Sequence, residues 1–196
     1  MQRLTDKEIR QALISSLRRR FKAPKATLEE VHVCNGNAIA DVVAVYKTMH
    51  CYEIKGETDS INRIVRQSEY YDQAFCLISL VTTKNHLDRA LTIAPEHWGV
   101  VVANTSQAGD VRFRHIRGAA KNPHYKPRIA LLTLWRSELI NFPQANNLNM
   151  EKMNRQKIAE IIASSAPMSA INERLGSVLV TRKDRLTTLD SSATYT

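Results

Sequence analysis

The sequence predicts a mixed α/β domain in which helices flank one sheet. Two patterns carry this prediction: apolar residues recur at helical spacing near the N-terminus, and short β-branched runs follow between residues 28 and 103. The predicted order αβββαβαβ is typical of a mixed sheet covered by helices. Because the chain has 196 residues, of which 43% are hydrophobic, it is long enough for one compact domain.

The first helix is predicted over residues 5–21. Its apolar side chains recur every four residues and would form one stripe: Ile9, Leu13, Leu17 and Phe21. Thr5 and Glu8 match a capping box, in which the Glu side chain returns to the amide of the cap residue. This pattern gives Glu8 a structural role.

The remaining elements follow from the same patterns. Strands are predicted over residues 28–33, 38–46, 51–55, 75–81 and 98–103. Helices are predicted over residues 60–71, 87–91, 129–140, 150–164 and 169–180, with a break at 143–149. We interpret residues 1–104 as the core and 129–182 as a helical extension packed on it. The Ser- and Thr-rich residues 183–196 are predicted to be a disordered tail.

Three charged residues fall on two neighbouring predicted strands. Glu53 and Lys55 lie two residues apart, so they share one face of their strand. Asp41 lies near the start of the preceding strand, whose apolar run is typical of a strand buried on both faces. If residues 47–50 form a hairpin turn, Asp41 and Glu53 lie roughly opposite each other. A buried carboxylate is costly, so Asp41 requires a cation or hydrogen-bond donors.

Paired carboxylates of this kind predict a divalent metal site. Mg2+ and Mn2+ prefer oxygen ligands, and they bind through one or two carboxylates plus substrate phosphate. Lys55, beside the pair, would orient an attacking water or stabilise negative charge on the phosphate. Asp41, Glu53 and Lys55 together therefore predict phosphodiester hydrolysis.

The same residues resemble the core signature of the PD-(D/E)XK nuclease superfamily. Asp41 precedes Glu53, Ile54 and Lys55 in the required order, and the flanking segments are similar to a bacterial and phage family of PD-(D/E)XK-like proteins over residues 5–163. The resemblance implies a restriction-endonuclease-like core with a C-terminal helical extension. It also implies that Asp41 and Glu53 hold Mg2+ or Mn2+ and that the substrate is DNA.

The superfamily pattern adds two candidates and shows one departure. For its first acidic residue Glu30 fits the spacing, and Glu29 and Glu8 are competitors. The helix after the Glu-x-Lys strand often offers a polar residue to the site, which makes Gln67 a catalytic candidate, with an exposed helix glutamine as the alternative. Ile39 stands where related chains tend to carry a basic residue.

The chain is strongly basic, with a net charge of +9 and a pI near 9.7, which suits a polyanionic partner. Residues 111–128 contain no acidic residue, and their Gly and Pro residues predict an irregular basic loop over 105–128. Such a loop would grip a phosphate backbone. The predicted nucleic-acid contacts are Arg63, Arg112, Arg114, Arg117, Lys121, Lys126 and Arg128.

Two functions from different classes are compatible with these residues. The first is a Mg2+-dependent deoxyribonuclease. The second is a catalytically inactive nuclease fold that binds DNA or a protein partner, for example a phage protein that inhibits a host factor. A homodimer is compatible with both. The sequence has no run of eighteen apolar residues and no signal-peptide core, so we expect a cytoplasmic protein without membrane contact.

The remaining reactive side chains are predicted to be structural. Neither the cysteines nor the histidines show metal-ligand spacing, so no site is predicted from Cys34, Cys51, Cys76, His86, His97, His115 or His124. Trp98 and Trp135 are both predicted to be core residues.

Overall fold

The structure is a computed structural model that describes residues 3–142 and 150–193, with side chains as far as residue 186. Its strands are β1 (Ala26–Val33), β2 (Ala38–Val45), β3 (Met49–Lys55), β4 (Leu77–Thr83), β5 (Gly99–Thr105) and β6 (Val111–Arg117). They form one sheet in chain order. The central strands β3, β4 and β5 are parallel, and the other neighbouring pairs are antiparallel.

Seven helices accompany the sheet in the described part of the chain. They are α1 (Asp6–Arg18), α2 (Ile64–Ala74), α3 (Leu87–Ile93), α4 (Pro127–Leu131), α5 (Arg136–Ile140), α6 (Arg155–Ser165) and α7 (Met168–Ala193). A short 3-10 turn, Ile61–Arg63, leads into α2. No helix among the described residues is long and apolar enough to cross a membrane.

The two faces of the sheet carry different helices. On one face α1 is the only helix in the described ranges 3–142 and 150–186 that contributes to the core cluster, where Ile9, Leu13 and Leu17 pack with Tyr52 and Ile54. The opposite face carries the larger core cluster, to which every helix from α2 to α7 contributes buried residues. The helices after β6 therefore belong to the same core cluster as the sheet.

The predicted α/β class and order of elements are confirmed for residues 5–105, with shifted ends. The capping box is also confirmed, since Glu8 Oε2 accepts from the Thr5 amide at 2.9 Å. The predicted end of α1 is wrong. The helix stops at Arg18 and Phe21 is fully exposed, because residues 19–25 turn the chain into β1.

The basic segment is not an irregular loop throughout, because residues 111–117 form the edge strand β6. The charged residues and glycine of this segment favoured a loop in the prediction, although the sequence also has a period-2 pattern. In that pattern Val111 and Phe113 face α1. In the C-terminal region the predicted helix over residues 129–140 is two helices, α4 and α5. Helix α7 continues to Ala193, where composition predicted disorder, and the predicted break at 143–149 lies outside the described residues.

One tryptophan follows the prediction and the other does not. Trp98 is fully buried. Trp135 is half exposed and stacks under the Arg182 guanidinium, whose carbon lies 4.4 Å from the ring centroid. The cation comes from α7, far away in the sequence, so the contact leaves no local pattern.

Candidate active site

The candidate site lies where β2 separates from β3. Their pairing ends at Val42 and Tyr52, so the next residues, Asp41 and Glu53, stand opposite each other just beyond the last pair. Ala40 and Val43 are three residues apart and would face opposite sides of a regular strand, yet both pack in the larger cluster. The alternation of faces in β2 therefore breaks at Asp41. The neighbouring β1 residue, Glu30, has a φ of 52°, a strained conformation for a residue with a side chain.

Asp41 fills the gap left by the missing strand pairing. Its Oδ2 accepts from the amide of Ile54 at 2.7 Å, and its Oδ1 accepts from Arg10 Nη2 at 3.3 Å. Burial raises the pKa of Asp41 to about 7, and the Glu53 carboxylate adds to this effect. The Ile54 amide, Lys55 and Arg10 oppose it. Asp41 is therefore a carboxylate that its surroundings only partly stabilise in the charged form.

Glu53 and Lys55 form a buried pair beside Asp41. Glu53 is 1% exposed and Lys55 5%, and Lys55 Nζ donates to Glu53 Oε1 at 2.5 Å. The Tyr71 hydroxyl, from α2, lies 2.7 Å both from Glu53 Oε2 and from the carbonyl oxygen of Ile39, and its one proton serves one acceptor at a time. Gln67 Nε2 donates to that hydroxyl at 3.3 Å. The predicted candidate Gln67 therefore reaches Glu53 through Tyr71.

Arg10 on α1 joins three carboxylates that the sequence had not connected. Its guanidinium donates to Asp6 Oδ2 at 3.1 Å, to Glu30 Oε1 at 3.0 Å and to Asp41 Oδ1 at 3.3 Å. Glu30, the preferred first acidic residue, is thus an exposed partner of Arg10. The structure does not bring it together with Asp41 and Glu53 into a group of three metal-binding side chains.

The other first-acid candidates lie elsewhere. Glu8 is used by the cap of α1, and Glu29 is exposed on β1. Sequence reasoning missed Asp6, whose pKa is raised first by burial and then by the Asp41 carboxylate. The one local signal was its i,i+4 spacing to Arg10.

Gly56 allows α1 to approach the end of β3. A Cβ at Gly56 would lie 2.8 Å from the Asp6 amide nitrogen and 3.1 Å from the Leu4 carbonyl oxygen. The Gly56 amide also donates to Asp59 Oδ2 at 2.7 Å, which turns the chain after the strand. Glycine is thus required by close approach to the segment that carries Asp6.

The donor set fits a hard divalent cation in its chemistry. The buried oxygens Asp6 Oδ1 and Gln67 Oε1 have no hydrogen-bond partner, and they come from the two helices on either side of the Asp41 and Glu53 pair. Burial, and then repulsion from Glu53, raises the pKa of Asp41, and a cation between the two carboxylates would relieve that repulsion. Asp41 and Glu53 are the residues that would hold it.

The predicted basic residues divide into two groups. Cross-strand register places Lys55, Thr82, Val102 and Arg114 in one row from β3 to β6. Since Ile54 and Phe113 pack under α1, Lys55 and Arg114 both lie on the opposite face. Arg112 shares that face of β6, and Arg112, Arg114 and Arg63 are all exposed.

The second group lies near the amino ends of the parallel strands. The Lys126 amide donates to the Gln73 carbonyl, which places it at the end of α2, and Lys121, Lys126 and Arg128 are exposed. Arg117 is not free to bind phosphate there. Its guanidinium donates to the carbonyl oxygens of Ala94, Pro95 and Trp98, so it is a structural residue.

The fold is mixed α/β, with one six-stranded sheet and helices on both faces. The site consists of Asp41 on β2 and of Glu53 and Lys55 on β3. The family described as Bacteriophage P4 protein cII matches residues 1–189, and the chain belongs to this family.

Two individual proteins are similar to the chain. Protein cII of Enterobacteria phage P4 is 23% identical over 171 residues, covering 87% of this chain and 64% of that protein, so the chain spans less than two thirds of its length. A solved structure of a protein of unknown function from Silicibacter pomeroyi is 15% identical, with a TM-score of 0.41 over 66% of this chain and 83% of that one.

Proposed function

We propose that the protein is a metal-dependent nuclease that hydrolyses phosphodiester bonds in DNA, built on a restriction-endonuclease-like core. The observation that carries the proposal is the junction of β2 and β3. There Asp41 and Glu53 face each other beyond the last strand pair, with Lys55 bound to Glu53. Unpaired acceptor oxygens of Asp6 and Gln67 flank the junction.

Asp41 and Glu53 are the proposed metal ligands, and Mg2+ or Mn2+ bound there would polarise the phosphate and lower the pKa of a water. Lys55 has a different task. Lys55 now donates to Glu53, and with a metal ion on that carboxylate it would donate to the water or to a phosphate oxygen. Tyr71 holds the second Glu53 oxygen and fixes its rotamer.

Two exposed arginines, Arg112 and Arg114, share a face of the sheet with Lys55, and the row residues between them, Thr82 and Val102, are buried. Three strand spacings separate Lys55 from Arg114 in their common row, which corresponds to roughly 14 Å. Arg112 and Arg114 would therefore hold backbone phosphates a few nucleotides away from the cleaved bond. Such contacts position DNA without reading its sequence.

One observation favours the second candidate, a nuclease fold without activity. Arg10 already places a cation among Asp6, Glu30 and Asp41. If that guanidinium replaces the metal permanently, the acidic cluster is structural and the protein acts by binding alone. Arg10 and the metal then compete for Asp41, and the two functions differ in their need for a divalent ion.

Cleavage assays test the proposal. Purified protein is incubated with linear, circular, single-stranded and branched DNA and with RNA, in Mg2+, in Mn2+ and in EDTA. We expect cleavage of at least one DNA substrate that requires the metal and is lost in Glu53→Gln and Asp41→Asn. The matched control is Glu29→Gln, since Glu29 is exposed on β1 and is not one of the side-chain hydrogen-bond partners of Asp41 and Glu53.

The variants must also be shown to fold, because Glu53 is buried. Far-UV circular dichroism and thermal unfolding serve this purpose. The proposal is wrong if folded parent protein cleaves none of the substrates in either metal, or if folded Glu53→Gln cleaves as fast as the parent. DNA binding that is unchanged by EDTA, without cleavage, would establish the binding function.

A further inference from the structure

A second cluster of metal-binding side chains lies away from the candidate active site. Asp72 is in the last turn of α2, His97 is in the loop before β5, and His124 is in the segment after β6. One ligand atom from each lies within 4.8 Å of the other two. Three separate parts of the chain therefore bring two imidazoles and one carboxylate to one point.

The carboxylate of Asp72 is held in place by a neighbour. Trp98 Nε1 donates to Asp72 Oδ1 at 2.7 Å, and His97 Nε2 lies 2.8 Å from the same oxygen. Both Asp72 and His97 are mostly buried, with side chains 14% and 13% exposed. An indole donor to a buried carboxylate is the kind of outer contact that orients a metal ligand.

Asn122 ties the backbone of the segment that carries His124 to the end of α2. Its Nδ2 donates to the carbonyl oxygens of Asp72 at 2.7 Å and Phe75 at 2.8 Å, and its Oδ1 accepts from the His124 amide at 2.8 Å. The Ala120 amide also donates to the His97 carbonyl oxygen at 2.9 Å. The segment that carries His124 is thus tied by hydrogen bonds to both other ligands.

We propose that Asp72, His97 and His124 form a Zn2+ site that clamps the segment after β6 onto α2. Imidazole and carboxylate are usual zinc ligands, and three protein ligands leave a fourth position for water. Bonds of this type place ligand atoms roughly 3.3 Å apart in a tetrahedron. His97 Nε2 and Asp72 Oδ1 lie 2.8 Å apart, so they would move slightly apart to bind one ion. The exposed side chain of His124 would move towards them.

The site does not depend on the proposed nuclease activity. It combines nitrogen with oxygen, which suits Zn2+, whereas Asp41 and Glu53 offer oxygen alone, which suits Mg2+. Exposed His124 also provides an entry route for the ion. The competing explanation is a simple hydrogen bond between His97 and Asp72, in which His124 has no role.

Zn2+ titration of tag-free, metal-stripped protein distinguishes these explanations. Binding is followed by competition with a chromophoric chelator, and Co2+ serves as a spectroscopic substitute. All measurements use an Asp41→Asn background, so that the other site does not contribute. We expect one Zn2+ per chain, intense visible Co2+ bands of a tetrahedral site, and a melting temperature that rises with Zn2+.

The decisive variant is His124→Ala, because His124 is exposed and its loss leaves the hydrogen bond from His97 to Asp72 intact. It should weaken Zn2+ binding at least tenfold and abolish the Co2+ bands, while His32→Ala, an exposed histidine on β1, binds as the parent does. The proposal is overturned if the parent binds no Zn2+, or if His124→Ala binds it as tightly as the parent.

Discussion

His50 on β3 should make the protein less stable in acid. Its Nε2 lies 2.9 Å from Ser79 Oγ and its ring stacks on Tyr52 at a centroid distance of 4.2 Å. Burial, followed by the charges of Arg20 in the turn after α1 and of His115 on β6, lowers the pKa of His50 from 6.5 to about 4. The folded protein therefore keeps this imidazole neutral where the unfolded chain would protonate it.

The sign and size of the effect follow from this difference. Above pH 6.5 His50 is neutral in both states, so its full contribution to stability is present there. As the pH falls towards 4, the unfolded chain binds a proton that the folded protein does not, and stability is lost. The loss is about 3 kcal/mol over the whole window and about 2 kcal/mol between pH 7 and pH 5.

Urea unfolding of the parent and of His50→Gln measures the contribution of this one group. Other titrating residues, including Asp41, are present in both proteins, so their effects largely cancel in the comparison. Between pH 7 and pH 5 the parent should lose about 2 kcal/mol more stability than His50→Gln. Equal losses in the two proteins would refute the reasoning and would mean that His50 is protonated in the folded state.

Three further predictions follow from the candidate site. Asp41→Asn should raise the unfolding free energy of metal-free protein by about 1–3 kcal/mol at neutral to basic pH. The reason is that it removes a mostly buried charge that faces Glu53. A less stable variant in EDTA would contradict this. Gly56→Ala should lower it by about 1–3 kcal/mol, since its Cβ meets the backbone of Asp6, and an unchanged urea midpoint would exclude the close approach. Arg114→Ala should weaken DNA binding and reduce its salt dependence by about one phosphate contact, measured by fluorescence anisotropy in EDTA. Equal weakening by Lys121→Ala would instead place the DNA at the other end of the sheet.

The sequence predicted those features that depend on neighbours in the chain. The capping box of Thr5 and Glu8 and the shared face of Glu53 and Lys55 are local, so spacing alone was sufficient. Strand β6 was also visible as a period-2 pattern, but its charge suggested a loop. The apolar stripe of α1 was predicted correctly up to Leu17 and wrongly extended to Phe21. Periodicity alone does not show where the chain leaves the helix.

The rest of the site depends on contacts between distant segments. Arg10 reaches Asp41 and Glu30 only because α1 packs on the sheet where β2 separates from β3. Glu30 was therefore placed among the metal ligands by spacing, although its side chain serves Arg10. The cluster of His97 and His124 was missed for the same reason, since its ligands come from three separate elements.

The central claim is that Asp41 and Glu53 hold a divalent metal and that Lys55 acts on the substrate beside it. Lys55→Met tests this most directly, because it leaves both carboxylates in place and removes only the ammonium. We expect Lys55→Met to keep Mn2+ binding, measured by electron paramagnetic resonance, and to lose cleavage of the DNA substrate. Cleavage at the parent rate, or parent protein that binds no Mn2+ in the presence of intact Asp41 and Glu53, would contradict the account.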